Sequence, residues 1–358
     1  MIVRDEEAFL PDCLQSIHAI VDEIVVVDTG SRDATKAVAR RFGARVFDFA
    51  WRDDFAAPRN HAIDQATGDW ILYIDADERL RPIDPAYLRG MLSDASKVGY
   101  QLRFFPATGF TGYWEYRLFR NDPRIRFDGP IHEGMLPGLT KVAAAEGLEI
   151  GRLEATLDHV GYDGDQQRKH RRNLPLLRAG LARDPDRAFS WSHLGRVLTA
   201  LGDEDGAIRA WRDGIDAVRR QSGYKPEFAL PFLDLIPCLH ERGEDTGPLL
   251  DEARRRFPDN MTLVWLTARA AMDSGENDAA AALLEQLAAI DGDAYFDGEI
   301  AHDRRIFGAL AYQSLGTCCF RLGRFAESAA WYGRAEASEP EEPGHRLRRL
   351  AAEGRCRQ

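Results

Sequence analysis

Asp75-Ala-Asp77-Glu78 follows the apolar run Trp70-Ile-Leu-Tyr-Ile74, and no other tract of this sequence is so well suited to hold a charged ligand. Alternate residues of a strand project to one side, so a strand carrying both would present the Asp75 and Asp77 carboxylates together. Asp28 ends a second apolar run, Ile24-Val-Val-Val27, in the same manner. Ligands of open α/β sheets collect beyond the carboxyl ends of strands, which would align three carboxylates along one crevice. Such a crevice suits Mg2+ or Mn2+, hard cations that bridge phosphate oxygens. Taken alone, an Asp-x-Asp is more often an ordinary solvated turn, so its meaning depends on its surroundings.

The surrounding elements are legible as far as Val160. Residues 23–28 read as a buried parallel strand stopped by Thr29-Gly-Ser31. Ala34, Val38 and Phe42 fall at helical spacing, and residues 44–48 resume as a strand, completing a βαβ unit. A helix over 58–67 then leads into a buried strand over 69–75, and residues 98–160 add shorter, more aromatic strands. The alternation predicts a Rossmann-like α/β domain over residues 1–160, with a mostly parallel sheet flanked by helices.

From Gly161 onward the chain is rich in Ala, Leu, Arg and Glu, with helix-length segments set apart by Gly and Pro. Large and small residues recur there with the 34-residue period of tetratricopeptide helix pairs. Residues 188–221 carry Trp191, Leu194, Gly195, Gly202 and Ala207 in the expected slots, and 309–342 carry Tyr312, Leu315, Gly316, Gly323 and Tyr332. A weaker copy spans 261–294. A fourth stretch, 229–256, is interrupted by Pro231, Pro237 and Pro248. Residues 161–358 are therefore expected to form an all-α domain of tetratricopeptide-like repeats, a generic helical bundle being the plainer alternative.

Composition removes other classes. With 47 Lys+Arg against 58 Asp+Glu the chain carries −11, without the basic excess a nucleic-acid binder needs to neutralise phosphates. No apolar run approaches the length needed to span a bilayer, and no signal-peptide apolar region opens the chain. The five cysteines make no paired framework and no Cys-x-x-Cys, which argues against disulfide scaffolds and zinc ribbons and for a reducing compartment. The expected location is the cytoplasm, free or peripheral at the inner membrane face.

Four tracts occur in order: Met1-Ile-Val-Arg-Asp-Glu-Glu7, Val25-Val-Val-Asp-Thr-Gly-Ser-Arg-Asp-Ala-Thr35, Ala57-Pro-Arg-Asn60 and Gly68-Asp-Trp-Ile-Leu-Tyr-Ile-Asp-Ala-Asp-Glu78. The series resembles family 2 glycosyltransferases of the GT-A fold over most of residues 1–160. With the repeats, it is similar to the subgroup that includes sublancin-type peptide glycosyltransferases. The resemblance implies a nucleotide-sugar donor, usually UDP-linked, with Asp28 on the nucleobase and Val3, Arg4 and Glu6 lining it. Arg59 would lie near the nucleotide, Asp75 near the ribose, and Asp77 on the Mn2+ or Mg2+ that carries the diphosphate. Thr29 stands where many relatives have a second aspartate, a departure that leaves the implied metal site in place. Met1 falls inside the implied first strand. If it is the true start, a short central strand and an incomplete nucleotide wall are expected; a misplaced start codon is the simpler account.

Inverting transfer also requires a base for the acceptor proton. Asp128-Gly-Pro-Ile-His-Glu133 is the stretch chosen, with Glu133 preferred to Asp128, although both read equally as surface acids beside a turn. His159, at the end of the strand-like residues 154–159, is the chosen late histidine on the metal, with His132 second. Asp163-Gly-Asp165 reads as a solvated connector, and Arg168-Lys-His-Arg-Arg172 as an exposed basic helix face that could approach an anionic donor or acceptor. The expected function is metal-dependent inverting transfer of a hexose to a peptide, glycan or lipid-linked acceptor. The repeats would bind that acceptor, a protein partner or a second protomer. The competing expectation is a tetratricopeptide scaffold with a silent GT-A domain. A nucleotidyltransferase would need a basic Gly-rich loop where Arg4-Asp-Glu-Glu7 stands, and a dinucleotide-binding dehydrogenase would need a Gly-x-Gly-x-x-Gly after the first strand.

Overall fold

The computed structural model describes residues 1–161 and 166–357, so Asp163 and Asp165 lie outside the described residues. The chain begins with β1 (Ile2–Val3), α1 (Leu10–Ile17), β2 (Val25–Asp28), α2 (Thr35–Arg41), β3 (Arg45–Asp48) and α3 (Ala56–Gln65). Leu10, Cys13, Leu14 and Ile17 give α1 an apolar stripe at i, i+3, i+4 and i+7, and all four are buried. The β-branched run of β2 is likewise buried. These strands form a parallel sheet in the order β1-β2-β3, with Val3 beside Asp28 and Asp28 beside Asp48.

Next come β4 (Trp70–Leu72), β5 (Glu78–Leu80), α4 (Pro85–Leu92), β6 (Lys97–Phe105), β7 (Tyr113–Arg120), α5 (Leu136–Glu146) and β8 (Glu149–His159). They build a second sheet in the order β4-β7-β6-β8-β5, in which β6 and β8 are parallel and the other three pairings antiparallel. The expected predominance of parallel strands therefore holds for residues 1–48, and the domain as a whole is mixed. Pairing between strands tens of residues apart leaves no local periodicity, which is why the aromatic strands gave no orientation. The strand expected over 69–75 stops at Leu72, and Asp75-Ala-Asp77 forms the turn into β5.

Val3, Leu14, Val26, Ile74, Tyr100, Leu102 and Leu157 share one apolar core; Phe119, Ile125, Phe127 and Leu139 share another beneath α5. An apolar cavity of about 280 Å3 lies beside β4, walled by Val25, Trp70, Leu72, Leu118 and Leu153. Of the candidate residues only Arg59 reaches it.

The remainder is helical: α6 (Gln166–Arg183), α7 (Ala188–Ala200), α8 (Glu204–Arg220), α9 (Leu230–Glu241), α10 (Gly247–Arg256), α11 (Met261–Asp273), α12 (Asn277–Ala288), α13 (Ala309–Arg321), α14 (Phe325–Ser338) and α15 (Pro343–Cys356). Helix pairs fall on all three repeats read from the sequence. The proline-rich 229–256 stretch also folds as a pair, α9 and α10. Pro231 and Pro248 sit in first turns, where a missing N–H costs nothing, and only Pro237 is internal. Gly316 shows why the small slots are needed: a Cβ there would stand 2.8 Å from the Tyr332 ring. Among the described residues no helix is long and apolar enough to cross a membrane.

The chain divides into two compact units: residues 1–108 with 112–207, and residues 109–111 with 208–358. Secondary structure changes type near residue 160, but α6 and α7 belong with the sheets. Leu176, Leu177, Leu181, Ala188 and Leu194 are buried in that unit.

Candidate active site

The site is assembled from the end of β2, the turn between β4 and β5, α3, the 127–134 hairpin and the first turns of α6. Asp28 is 1 % exposed at the end of β2. One of its oxygens accepts from the backbone N–H groups of Gly30 and Ser31, both at 3.0 Å, while the other, Oδ1, has no hydrogen-bond partner. A buried carboxylate oxygen without a donor is costly, so this is a position prepared for one. Val3 is buried on the neighbouring strand, and its carbonyl accepts from the backbone N–H of Thr29 at 2.9 Å. Arg4 is exposed and Glu6 half-buried in the loop that follows. Burial, then the Asp77 charge, push the Glu6 carboxyl up to about 7.

Asp75 and Asp77 do not act as a parallel pair, because they lie on a turn and each has its own partner. Arg59 donates to both oxygens of Asp75, at 2.8 and 3.0 Å, and its Nε donates to Glu133. Burial alone would raise the Asp75 carboxyl, but the charge and hydrogen bonds of Arg59, with Arg117 behind, hold it at about 2. The Arg59 guanidinium is also packed 5.3 Å from the Tyr73 ring centre and 5.5 Å from that of Phe127. Asp77 meets His159, whose Nε2 is 3.1 Å from Asp77 Oδ2. The β5–β8 register makes this contact by setting Glu78 opposite His159. His159 Nδ1 lies 3.0 Å from the Pro106 carbonyl and donates to it, so Nε2 is the nitrogen that faces the carboxylate. Burial lowers the imidazole pKa, but the hydrogen bond and charge of Asp77 outweigh it and the net direction is upward.

A polar cavity of about 260 Å3 is lined by Asp75, Arg59, Glu133, Glu115, Arg117 and Asn173, among others. The structure thus brings Glu133 to Arg59 and Asp75, whereas the Asp128 side chain is 78 % exposed and 3.2 Å from Arg183. His132 is not at Asp77. It lies against Phe189 and His193, with ring centres 5.0 and 4.2 Å away, and burial with nearby Arg187 and Arg196 lowers it to about 4. Among the described residues no group of three His, Cys, Asp or Glu side chains is arranged to hold a metal; Asp77 and His159 are a pair.

Two features escaped the sequence. Glu78 accepts from the Asp75 backbone N–H at 2.9 Å and is ion-paired with Arg117 at 2.7 Å, both side chains being nearly inaccessible. The pair fixes the turn from beneath, and the available signal was an arginine inside the otherwise apolar strand Tyr116-Arg-Leu-Phe119. Gly161 packs so tightly on Asp77 that a Cβ would fall 2.2 Å from Oδ2 and 2.4 Å from the Asp77 Cβ.

Residues 1–138 match the family model described as glycosyl transferase family 2, and residues 248–295 match a tetratricopeptide repeat model. A TPR repeat-containing protein of Synechococcus elongatus is 37% identical over 260 residues, covering 70% of this chain and 63% of that protein. Glycosyltransferase SunS of Bacillus phage SPbeta is 26% identical over 243 residues, covering 62% of this chain and 53% of its own. The chain thus spans between about half and two thirds of the length of these relatives. Among solved structures, glucosyl-3-phosphoglycerate synthase from Mycobacterium tuberculosis aligns with TM-score 0.38 and 17% identity over 51% of this chain and 77% of that one.

Proposed function

From a chain that joins a family 2 glycosyltransferase domain to tetratricopeptide repeats, we propose a metal-dependent, inverting glycosyltransferase. It would move a hexose from a nucleotide sugar, UDP-linked, to a peptide, glycan or lipid-linked acceptor. Asp28 carries this reading: its partnerless buried oxygen asks for an N–H donor, and the imide of uracil supplies one. The Val3 strand would line the base. Arg59 keeps Asp75 ionised as an acceptor for ribose hydroxyls.

Asp77 and His159 would hold Mn2+ or Mg2+. Their chemistry fits: one carboxylate oxygen, and one imidazole nitrogen whose ring is already oriented through Nδ1 by a backbone carbonyl. When bound, such a cation stabilises the negative charge of a departing diphosphate. Glu133, on the polar cavity beside Asp75, would take the acceptor proton. The repeats would orient the acceptor, engage a protein partner or pair two protomers. Five cysteines that form no disulfide suit a reducing cytoplasm, with the protein free or at the inner membrane face.

Calorimetric titration of UDP with and without Mn2+, into the wild type and Asp77→Asn, tests the proposal. The expected result is metal-dependent binding by the wild type that the substitution weakens at least tenfold. Absence of UDP binding by folded wild type would overturn it and favour the scaffold reading, in which Arg59 holds Asp75 and Glu133 closed on each other.

A further inference from the structure

Helix α6 contains six Arg and Lys residues and no Asp or Glu. Arg168 and Arg172 are four residues apart and Lys169 adjoins them, so three cations share one side of its first turns. Like charges at this spacing oppose one another. They also stand at the helix end where the macrodipole is positive, which disfavours cations and favours an anion.

The surroundings give this basic face an address. Lys169 Nζ reaches the Gly161 carbonyl at 3.4 Å, and Gly161 is the residue whose backbone lies against Asp77. Glu6 feels the opposing charges of Lys169 and Asp77, so all three are near neighbours. Arg172 lies 5.0 Å from the Phe55 ring centre, and its Nε donates to Asn173, which lines the same polar cavity as Asp75 and Arg59. Arg172 is also among Arg4 and Arg168, whose charges join desolvation in lowering its pKa. Lys169 and Arg172 of α6 therefore lie beside the residues that pack on Asp77 and line the Asp75 cavity, with Arg4 close to Arg172.

We propose that Arg4, Lys169 and Arg172 form an anion site that grips a diphosphate beside Asp77. A doubly or triply charged phosphate group fits because it relieves the mutual repulsion of several guanidinium and ammonium groups at once. That the diphosphate belongs to a nucleotide sugar rests on the reading given under Proposed function; that an anion binds here rests on the cations alone. Residues carried by α6 would then hold the leaving group, adding positive charge where the departing diphosphate becomes more negative.

The test titrates inorganic pyrophosphate, UDP and uridine in metal-free buffer into the full chain, the double variant Lys169→Ala/Arg172→Ala, and Arg178→Ala as a charge control on the same helix. Pyrophosphate and UDP are expected to bind at least tenfold more weakly to the double variant and unchanged to the control, with uridine unaffected. Lys169→Arg/Arg172→Lys should restore most of the loss, which separates lost charge from lost folding. Failure of wild type to bind pyrophosphate, or equal binding by wild type and double variant, overturns the inference. Pyrophosphate binding that the double variant loses, with no UDP or uridine binding to wild type, would sustain the anion site and sink the donor reading.

Discussion

Arg59 contacts Asp75 with two nitrogens and Glu133 with the third, so one guanidinium links the proposed ribose-binding carboxylate to the proposed base. Glu133 Oε1 accepts from Arg59 Nε, so the proposed base would take the acceptor proton on Oε2. Glu133→Gln keeps the size and one acceptor of the side chain but removes its basicity. Transfer measured by UDP release should fall at least about 10²-fold, with the UDP dissociation constant within about twofold of wild type. Unchanged turnover would move the base elsewhere. Asp28, Asp75 and Asp77 could be chosen from the sequence because Asp28 and Asp75 each end an apolar run and Asp77 stands two residues beyond Asp75. The Glu78–Arg117 pair could not, since its partners are 39 residues apart and meet only through sheet pairing.

At the scale of elements, the carboxylates are placed by a turn and not by strand alternation. β4 ends at Leu72, Glu78 holds the Asp75 N–H, and β8 brings up His159 on one flank and Gly161 on the other. Gly161→Ala would press a methyl group into the Asp77 side chain, whose own Cβ cannot swing away. The expected result is a loss of at least tenfold in the Mn2+-dependent part of UDP binding, with metal-free UDP binding and far-UV circular dichroism unchanged. Retention of the metal effect would show that the turn yields. The βαβ unit and the helix pairs were readable because their apolar periods are local. Sheet order was not, because β5 and β6 both find their partner in β8, more than 50 residues downstream.

For the whole molecule, composition marks a change at residue 160 while packing draws the unit boundary near residue 207. α6 and α7 bury Leu176, Leu177, Leu181 and Leu194, and Arg187 donates to the His132 carbonyl at 2.6 Å. A fragment of residues 1–203 should melt cooperatively and stay monomeric. A fragment of residues 1–160 should lose at least 10 °C in Tm or aggregate, having stripped an apolar surface. Equal melting of the two would return the boundary to the compositional break.

The register between β5 and β8 has a consequence in time. During synthesis the carboxylates of the 75–78 turn emerge before the strand that closes their sheet, which is not available until residue 159 has left the ribosome. Contacts of such sequence separation form late, whereas helical repeats mature through neighbours as they appear. The nascent crevice would therefore spend the synthesis of some 80 residues with its β5 edge open, an unpaired edge of the kind that invites misassociation.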